Sequence, residues 1–279
     1  MAGRQAFRFG TDLWDPTHRF ETSWLLSPWA LFFCRALIAL YIFTTILFVL
    51  AWQCAHAGCA ASQASFSYFT NLTYWGLGFY FLAAATHTFT YARSPTGHAL
   101  LDRFPRPLQA LHSAFYTTII VYPFIVTIVF WGRLFSGHWW PEVFTGWSNV
   151  SQHALNSVFA LFELLVPRTQ PPPAVHMLWL ILLLALYLAV AYITKAAKDF
   201  YPYDFLDPSS QGALVAAYVF GIAVGCLVVF GVAWGVIWLR GYVTETKLGK
   251  QGKFSRGDRE RGGHGGGVGD VEMVKPSSS

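Results

Sequence analysis

The sequence predicts an all-α membrane protein, a bundle of six transmembrane helices with both termini in the cytoplasm. The first observation is the composition: 54% of the residues are hydrophobic and only 12% are charged, whereas soluble domains carry about 25% charged residues. The second is a set of apolar stretches long enough to cross a bilayer, and the third is an uneven distribution of Lys and Arg. The composition excludes a soluble globular enzyme, and four cysteines are too few for a disulfide scaffold.

Crossing about 30 Å of hydrocarbon takes roughly 20 helical residues, and six stretches come close to or exceed that length. Their predicted bounds are Trp29–Trp52, Phe66–Tyr91, Leu108–Trp131, Ser148–Val166, Ala174–Ile193 and Ala213–Leu239. The fourth is the shortest and the most polar. In the sixth, two pairs of glycines spaced four residues apart predict close helix packing: Gly221 with Gly225, and Gly231 with Gly235.

The connecting segments fix the predicted orientation. Before the C-terminal tail, seven Lys and Arg residues lie in the N-terminal segment and in loops 92–107 and 167–173, against three in the alternate loops. Because cationic residues accumulate in cytoplasmic loops, both termini are predicted to be cytoplasmic. We expect an integral multi-pass protein of the endomembrane system or the plasma membrane.

Three regions follow from this pattern: a cytoplasmic N-terminal segment, residues 1–28; a transmembrane domain, residues 29–239; and a basic, Gly-rich tail, residues 240–279. The tail has too few apolar residues to offset the entropy of ordering, so we expect it to be disordered. Eight of the nineteen cationic residues lie in this tail. The net charge of +5 therefore does not indicate nucleic-acid binding.

Polar side chains inside the membrane are expensive and indicate candidate functional positions. Thr70 on the second span and His153 on the fourth lie at a similar depth below the non-cytoplasmic surface, because both spans enter from that side. A hydroxyl and an imidazole at one depth are the components of a nucleophile and its general base. The alternative is that these polar faces only hold helices together through hydrogen bonds.

Arg35 and Glu163 lie near the cytoplasmic ends of the first and fourth spans, and we interpret them as a structural ion pair. His87, His112 and His176 lie near the same ends, where interfacial positions explain them. No close ligand spacing indicates a metal site, and no motif indicates a cofactor.

These residues carry a resemblance to a known family. The stretch Gly146-Trp147-Ser148-Asn149, followed by His153 and Glu163, resembles a signature of the androgen-induced and androgen-dependent multi-pass membrane proteins. Residues 68–72 are similar to that family's aromatic-x-Thr stretch, and residues 199–208 to its Tyr-Pro-Phe loop. Arg35 matches an Arg of its first span. The resemblance covers residues 29–239.

This family implies a hydrolase of fatty acid esters of hydroxy fatty acids, with an intramembrane Thr nucleophile and a His. Carried over, Thr70 is the nucleophile and His153 the general base, with Thr73 as the rival hydroxyl. The candidates for stabilising the oxyanion are Asn149, Asn71 and Tyr74, and Asp204 is the candidate acid that orients His153. The expected partners are a lipid ester substrate and membrane lipids, without a cofactor.

Non-enzymatic interpretations remain open. "YFTNLTYW" is also similar to the rolling-stone proteins, a membrane group linked to cell fusion without an assigned chemistry. A scaffold or receptor-like protein would use both polar faces for packing alone. A transporter would use them as a pathway, with Pro123 as a helix-breaking position inside the third span. Acyl-chain preference and oligomeric state are left open.

Overall fold

The computed structural model describes residue 15, residues 17–94 and residues 97–250. This part of the chain is helical and contains no strand, which confirms the all-α prediction. The helices in chain order are α1 (Pro28–Ala57), α2 (Cys59–Ser65), α3 (Phe69–Arg93), α4 (Arg106–Ile119), α5 (Tyr122–Val129), α6 (Val143–Val150), α7 (Asn156–Leu165), α8 (His176–Lys198), α9 (Pro208–Gln211) and α10 (Leu214–Gly241).

Shorter elements complete the architecture. Two 3-10 turns occupy Leu100–Arg103 and Asp204–Leu206, and a disulfide links Cys54 to Cys59 between α1 and α2. Three π-helical segments, Phe130–Leu134, Ser151–Leu155 and Tyr242–Lys247, extend or join longer helices. The tail predicted to be disordered falls mostly on residues 251–279, which lie outside the described residues.

All six apolar stretches predicted from the sequence are helical. Four of the resulting helices are long and apolar enough to cross a membrane: Pro28–Ala57, Arg106–Leu134, His176–Lys198 and Leu214–Lys247. Many of their large apolar side chains face outward, such as Leu178 and Phe220, each 71% exposed, which suits a lipid environment. The other two stretches, α3 and the continuous helix from Val143 to Leu165, carry more polar side chains.

The third apolar stretch is interrupted in its middle. Helix α4 ends at Ile119 and α5 begins at Tyr122, because Pro123 has no amide proton to continue the helical hydrogen bonding. The Pro123 carbonyl oxygen accepts the Asn156 side-chain amide at 3.2 Å and the Ser157 hydroxyl at 3.0 Å. These two polar side chains therefore hold α7 against the first turn of α5.

The space around the glycines shows which helix contacts are tight and which are open. Helices α1 and α3 pack closely at Gly78, where an added Cβ would lie 3.0 Å from Ile42 Cγ2 and 3.3 Å from Phe43 Cζ. On α10, by contrast, a Cβ at Gly221, Gly231 or Gly235 would meet nothing within 4 Å, and one at Gly225 would lie in ordinary contact with Ile125 Cδ1, at 3.9 Å. The close helix packing predicted for these four glycines is therefore not found within the described chain.

The segment that precedes α1 lies across one end of the bundle. Ser23 pairs with Pro167 in a short antiparallel bridge, and its hydroxyl donates to the Val166 carbonyl oxygen at 2.7 Å. The Arg168 amide donates to the Thr22 carbonyl oxygen at 3.0 Å. These bonds occupy backbone groups at the end of α7 that have no helical partner.

The same end contains a buried ion pair between Arg35 of α1 and Glu163 of α7. The guanidinium donates to both carboxylate oxygens, at 2.8 and 2.7 Å, and the two side chains are 1% and 0% exposed. Arg35 also donates to the Phe20 carbonyl oxygen and the Thr88 hydroxyl, and Tyr80 donates to Glu163 at 3.2 Å. We call these five residues the Arg35 cluster. It connects the N-terminal segment, α1, α3 and α7.

Candidate functional site

A cavity of about 260 Å³ lies at the opposite end of the bundle, beside the first turn of α3. Its wall is built from α5, α8, α10 and the loop before α9, and is formed by apolar side chains such as Val126, Leu184 and Phe220. Among the described residues, the polar side chains in this wall are the hydroxyls of Thr70, Tyr187 and Tyr203. We call this space the Thr70 cavity. An apolar pocket with a few converging polar groups is typical of a ligand site.

Thr70 and Thr73 differ in what their hydroxyls do. The Thr73 hydroxyl donates to the backbone carbonyl oxygens of Phe69 and Thr70, at 2.9 and 3.0 Å. It is therefore bound to its own helix, as threonines in membrane helices often are. Thr70 is 9% exposed and lines the cavity, and its hydroxyl makes no bond to the preceding turn in the described chain. Of the two, Thr70 is the hydroxyl available to a ligand.

Tyr203 holds the backbone of Thr70. The Thr70 amide lies in the first turn of α3, where it has no helical acceptor, and it donates to the Tyr203 hydroxyl oxygen at 3.4 Å. Burial raises the pKa of Tyr203, although the Thr70 hydroxyl and then the Thr70 amide, both beside the phenol oxygen, oppose this shift. The phenol therefore keeps its proton near neutral pH and can act as a donor beside the Thr70 hydroxyl.

His153 lies in the π-helical segment Ser151–Leu155, which contacts α3. Wider π turns release backbone carbonyl oxygens from helical bonding and occur often at functional sites. The His153 carbonyl oxygen accepts the Thr127 hydroxyl at 2.8 Å and the Trp131 indole N–H at 2.9 Å. The segment is thus fastened to α5 and to the π turn Phe130–Leu134.

One hydrogen bond selects the tautomer of His153. Its Nδ1 lies 3.0 Å from the Asn149 carbonyl oxygen. Since a carbonyl oxygen can only accept, Nδ1 carries the proton and donates it. Nε2 of the neutral ring then has a free lone pair and can act as a base.

Phe130 links His153 to the cavity. The imidazole stacks on the Phe130 ring with centroids 3.6 Å apart and planes inclined by 11°. Phe130 itself lines the cavity together with Thr70. In the described chain no hydrogen bond joins Thr70 to His153. The His153 side chain itself is not part of the cavity wall.

The candidates for oxyanion stabilisation do not converge on this cavity. The Asn149 side-chain amide donates to the Thr145 carbonyl oxygen of its own helix at 2.9 Å. Asn71 is half-buried on α3, and Tyr74 is 1% exposed and lies against Thr45 of α1. The side chains of these three residues are absent from the cavity wall.

Asp204 does not reach His153. Its carboxylate pairs with Arg133 at 3.0 Å, and both side chains are exposed, by 56% and 39%. The Asn149 backbone carbonyl orients the imidazole instead. The loop brings Asp204 to the surface because its neighbours Phe205 and Leu206 are the buried residues.

The three histidines near the cytoplasmic ends of the predicted spans are buried, which corrects the interfacial interpretation. His87, His112 and His176 are 5%, 8% and 3% exposed. The His176 Nδ1 lies 2.6 Å from the Thr117 hydroxyl, and the His87 and His112 rings lie 5.1 Å apart. No group of three or more metal-binding side chains in the described chain could hold an ion.

Sequence reasoning missed Tyr187, Tyr203 and Phe130. Tyr203 lies in the stretch 199–208, but the similarity of this stretch to the family's Tyr-Pro-Phe loop did not single out Tyr203 as a site residue. Nothing in the sequence distinguishes the Phe130 ring that stacks on His153. The π turns at 130–134 and 151–155 have no sequence signature either.

Comparisons with models of protein families, with curated proteins and with solved structures found no match for this chain.

Proposed function

We propose that this chain is an integral membrane hydrolase of lipid esters, with Thr70 as the nucleophile and His153 as the general base. In this proposal all six helical stretches span the membrane and both termini face the cytoplasm. The substrate class, fatty acid esters of hydroxy fatty acids, follows from the resemblance of the residues around Thr70 and His153. The membrane is that of an internal organelle or the cell surface.

One observation carries the proposal: a threonine hydroxyl that is not bound to its own helix lines an apolar cavity. Hydroxyls in membrane helices usually bond to the preceding turn, as Thr73 does. Leaving Thr70 without such a bond is expected where the hydroxyl meets a ligand. The lining of Ile, Leu, Val and Phe side chains suits an acyl chain, and the three hydroxyls at one side suit its ester group.

The chemistry requires two steps. His153 Nε2 takes the Thr70 proton while the hydroxyl oxygen attacks the ester carbonyl carbon. The ester bond breaks, and the departing alkoxide receives that proton from His153. Water, deprotonated by His153, then attacks the acyl-Thr70 ester; the bond to the Thr70 oxygen breaks, that oxygen takes the proton back from His153, and the fatty acid is released. Tyr203 can donate a hydrogen bond to the oxyanion in both steps.

Purified full-length protein in detergent provides the test, with a branched fatty acid ester of a hydroxy fatty acid as the substrate. Thr70→Ala and His153→Ala should each lower kcat/KM by roughly 100-fold or more. Thr73→Ala removes the same hydroxyl one turn away and is the matched control, which should retain activity. Equal losses in Thr70→Ala and Thr73→Ala, or no turnover by the folded wild type across several chain lengths, would contradict the proposal.

A scaffold function is the second candidate, favoured by the hydrogen bonds around α5. Asn156, Ser157 and the His153 carbonyl all stabilise the helix that Pro123 interrupts. These contacts are what a purely structural polar face would make. The scaffold alternative expects Thr70→Ala to lower the thermal stability of the protein, whereas the hydrolase proposal expects a stable and inactive variant.

A further inference from the structure

A second cavity of about 280 Å³ lies at the end of the bundle that carries the Arg35 cluster. It is bounded by the end of α10, the N-terminal segment and the loop after α7. Arg19 and Arg240 line it, and Glu245 is its acidic side chain. The hydrolase proposal makes no use of it.

The charges in this cavity are unbalanced. The two terminal nitrogens of Arg19 each donate a hydrogen bond to one carboxylate oxygen of Glu245, both at 2.8 Å. Arg168 Nε lies 3.9 Å from the same carboxylate. Arg240 is left without an acidic partner within ion-pair distance in the described chain. Its terminal nitrogens bond to neutral oxygens: the carbonyls of Leu164, Pro167 and Thr169, and the Thr169 hydroxyl.

Arg240 is also deeply buried, with 7% of its surface exposed. Its Nε is shielded from solvent and makes no hydrogen bond, and the same is true of Arg19 Nε. A buried guanidinium without a counter-ion is costly, and so is a buried donor without an acceptor. An anion in the cavity would offset both costs.

The remaining wall indicates what carries that anion. Ile237, Trp238 and Tyr242 complete the side formed by α10, and the rings of Trp238 and Tyr242 stack with centroids 5.7 Å apart. Trp238 is 53% exposed on an apolar helix near the point where it ends. Trp and Tyr mark the headgroup level of a bilayer, where phosphate groups of lipids lie. The Arg guanidinium is well suited to phosphate oxygens.

We infer that this cavity is a binding site for the phosphate of an anionic phospholipid, held by Arg19 and Arg240 with its glycerol backbone against Trp238. The Lys and Arg distribution assigns this end of the bundle to the cytoplasmic side, where anionic lipids are enriched. The site is independent of the Thr70 cavity, and its test does not require hydrolase activity.

The test measures lipid binding to full-length protein by native mass spectrometry and by the Tm in lipid nanodiscs. Arg240→Gln removes the central cation but also three bonds to backbone carbonyls, so it can fail to fold. Gln170→Glu is the decisive variant, because Gln170 is exposed, lines the cavity and is nearly isosteric with Glu. Gln63→Glu, the same change on exposed α2, is the matched control.

We expect phosphatidylglycerol to bind the wild type and raise its Tm above that in phosphatidylcholine alone. Gln170→Glu should weaken phosphatidylglycerol binding about tenfold through charge repulsion, without changing the Tm in phosphatidylcholine. Gln63→Glu should bind as the wild type does. The proposed site would be overturned if both lipids bound equally, or if Gln170→Glu bound phosphatidylglycerol as tightly as the wild type. An equal loss of phosphatidylglycerol binding in Gln63→Glu would overturn it as well. Inorganic phosphate raising the Tm as strongly as the lipid would overturn its assignment to a lipid.

Discussion

The Arg35 cluster and the Thr70 cavity are both polar sites inside an apolar bundle, and they treat their polar groups in opposite ways. In the Arg35 cluster every nitrogen of the guanidinium donates to an acceptor within 2.8 Å, and both partners are almost fully buried. At the Thr70 cavity a hydroxyl faces an apolar space of about 260 Å³.

The difference teaches how structural and functional polarity are told apart. A polar group whose bonding capacity is used by its own protein holds helices in register. A polar group left available beside a cavity can instead bond to a ligand. Burial does not separate the two cases, because Thr70 is 9% exposed and Arg35 1% exposed. The set of hydrogen-bond partners does.

The largest expected effect is on stability, from breaking the Arg35 cluster. Arg35→Gln leaves the Glu163 carboxylate buried without its cation and should lower the free energy of unfolding by about 3–5 kcal/mol. Arg133→Gln breaks the exposed pair with Asp204 and should leave the free energy of unfolding almost unchanged. Reversible unfolding in mixed micelles measures both. If the two variants lowered the free energy of unfolding by similar amounts, the Arg35 cluster would have no special structural role.

A smaller loss is expected from Gly78→Ala. The new methyl would lie 3.0 Å from Ile42 and should separate α1 from α3 at a cost of about 1–3 kcal/mol. Gly231→Ala on α10 has open space around its Cβ and should be neutral or slightly stabilising. Thermal unfolding of the two variants in the same detergent compares them. Destabilisation by Gly231→Ala alone would mean that the tight contact lies on α10.

Tyr203→Phe should lower kcat/KM for lipid ester hydrolysis about tenfold, because it removes a donor beside Thr70 while keeping the ring. Tyr201→Phe removes a hydroxyl from the same loop, at a residue outside the cavity wall, and should leave hydrolysis unchanged. Initial rates at several substrate concentrations separate an effect on kcat from one on KM. Equal rates for both variants would exclude a role for Tyr203 in the reaction.

The smallest expected effect is a pH dependence at Glu21, in the segment before α1. Glu21 is 1% exposed, and burial, together with the nearby carboxylates of Asp15 and Asp102, raises its pKa well above the ordinary value. The unfolded chain therefore ionises Glu21 at a pH where the folded chain holds it protonated, so stability falls as pH rises above the unfolded pKa.

Glu21→Gln should remove this cost and raise the Tm at pH 8 by roughly 2–4 °C, the shift that about 1 kcal/mol produces in a chain of this size. At pH 4 the gain should vanish, since Glu21 is then largely protonated in both states. Differential scanning calorimetry across this range measures the effect. Exposed Glu142→Gln is the control, and an equal gain at both pH values would exclude Glu21 titration as its cause.

Much of the fold was predictable because apolar stretches report helices directly. The six stretches are helical, and Arg35 pairs with Glu163 because two opposite charges at one depth of a bundle have few other partners. The glycine spacing on α10 was misleading, since spacing does not state which face a helix presents to its neighbours.

The candidate site was predictable only in part. Thr70 and His153 could be placed on neighbouring helices at one depth. Thr73 bonds within its own helix, whereas Thr70 lines a cavity whose other wall residues are far apart in sequence, such as Val126 and Tyr203. The stacking of Phe130 on His153 depends on π turns that the residue types do not encode. Asp204 pairs with Arg133 at 3.0 Å, a contact between residues far apart in the sequence that only the fold brings together.

The most direct test of the central claim is to locate the covalent acyl intermediate. Full-length protein in detergent would be mixed briefly with a fatty acid p-nitrophenyl ester, quenched in acid and analysed by intact and peptide mass spectrometry. The account predicts one acyl group per chain, mapped to the peptide fragment that ends at Thr70, and no adduct in Thr70→Ala. An acyl group on another residue, or turnover of the ester by Thr70→Ala at the wild-type rate, would contradict it.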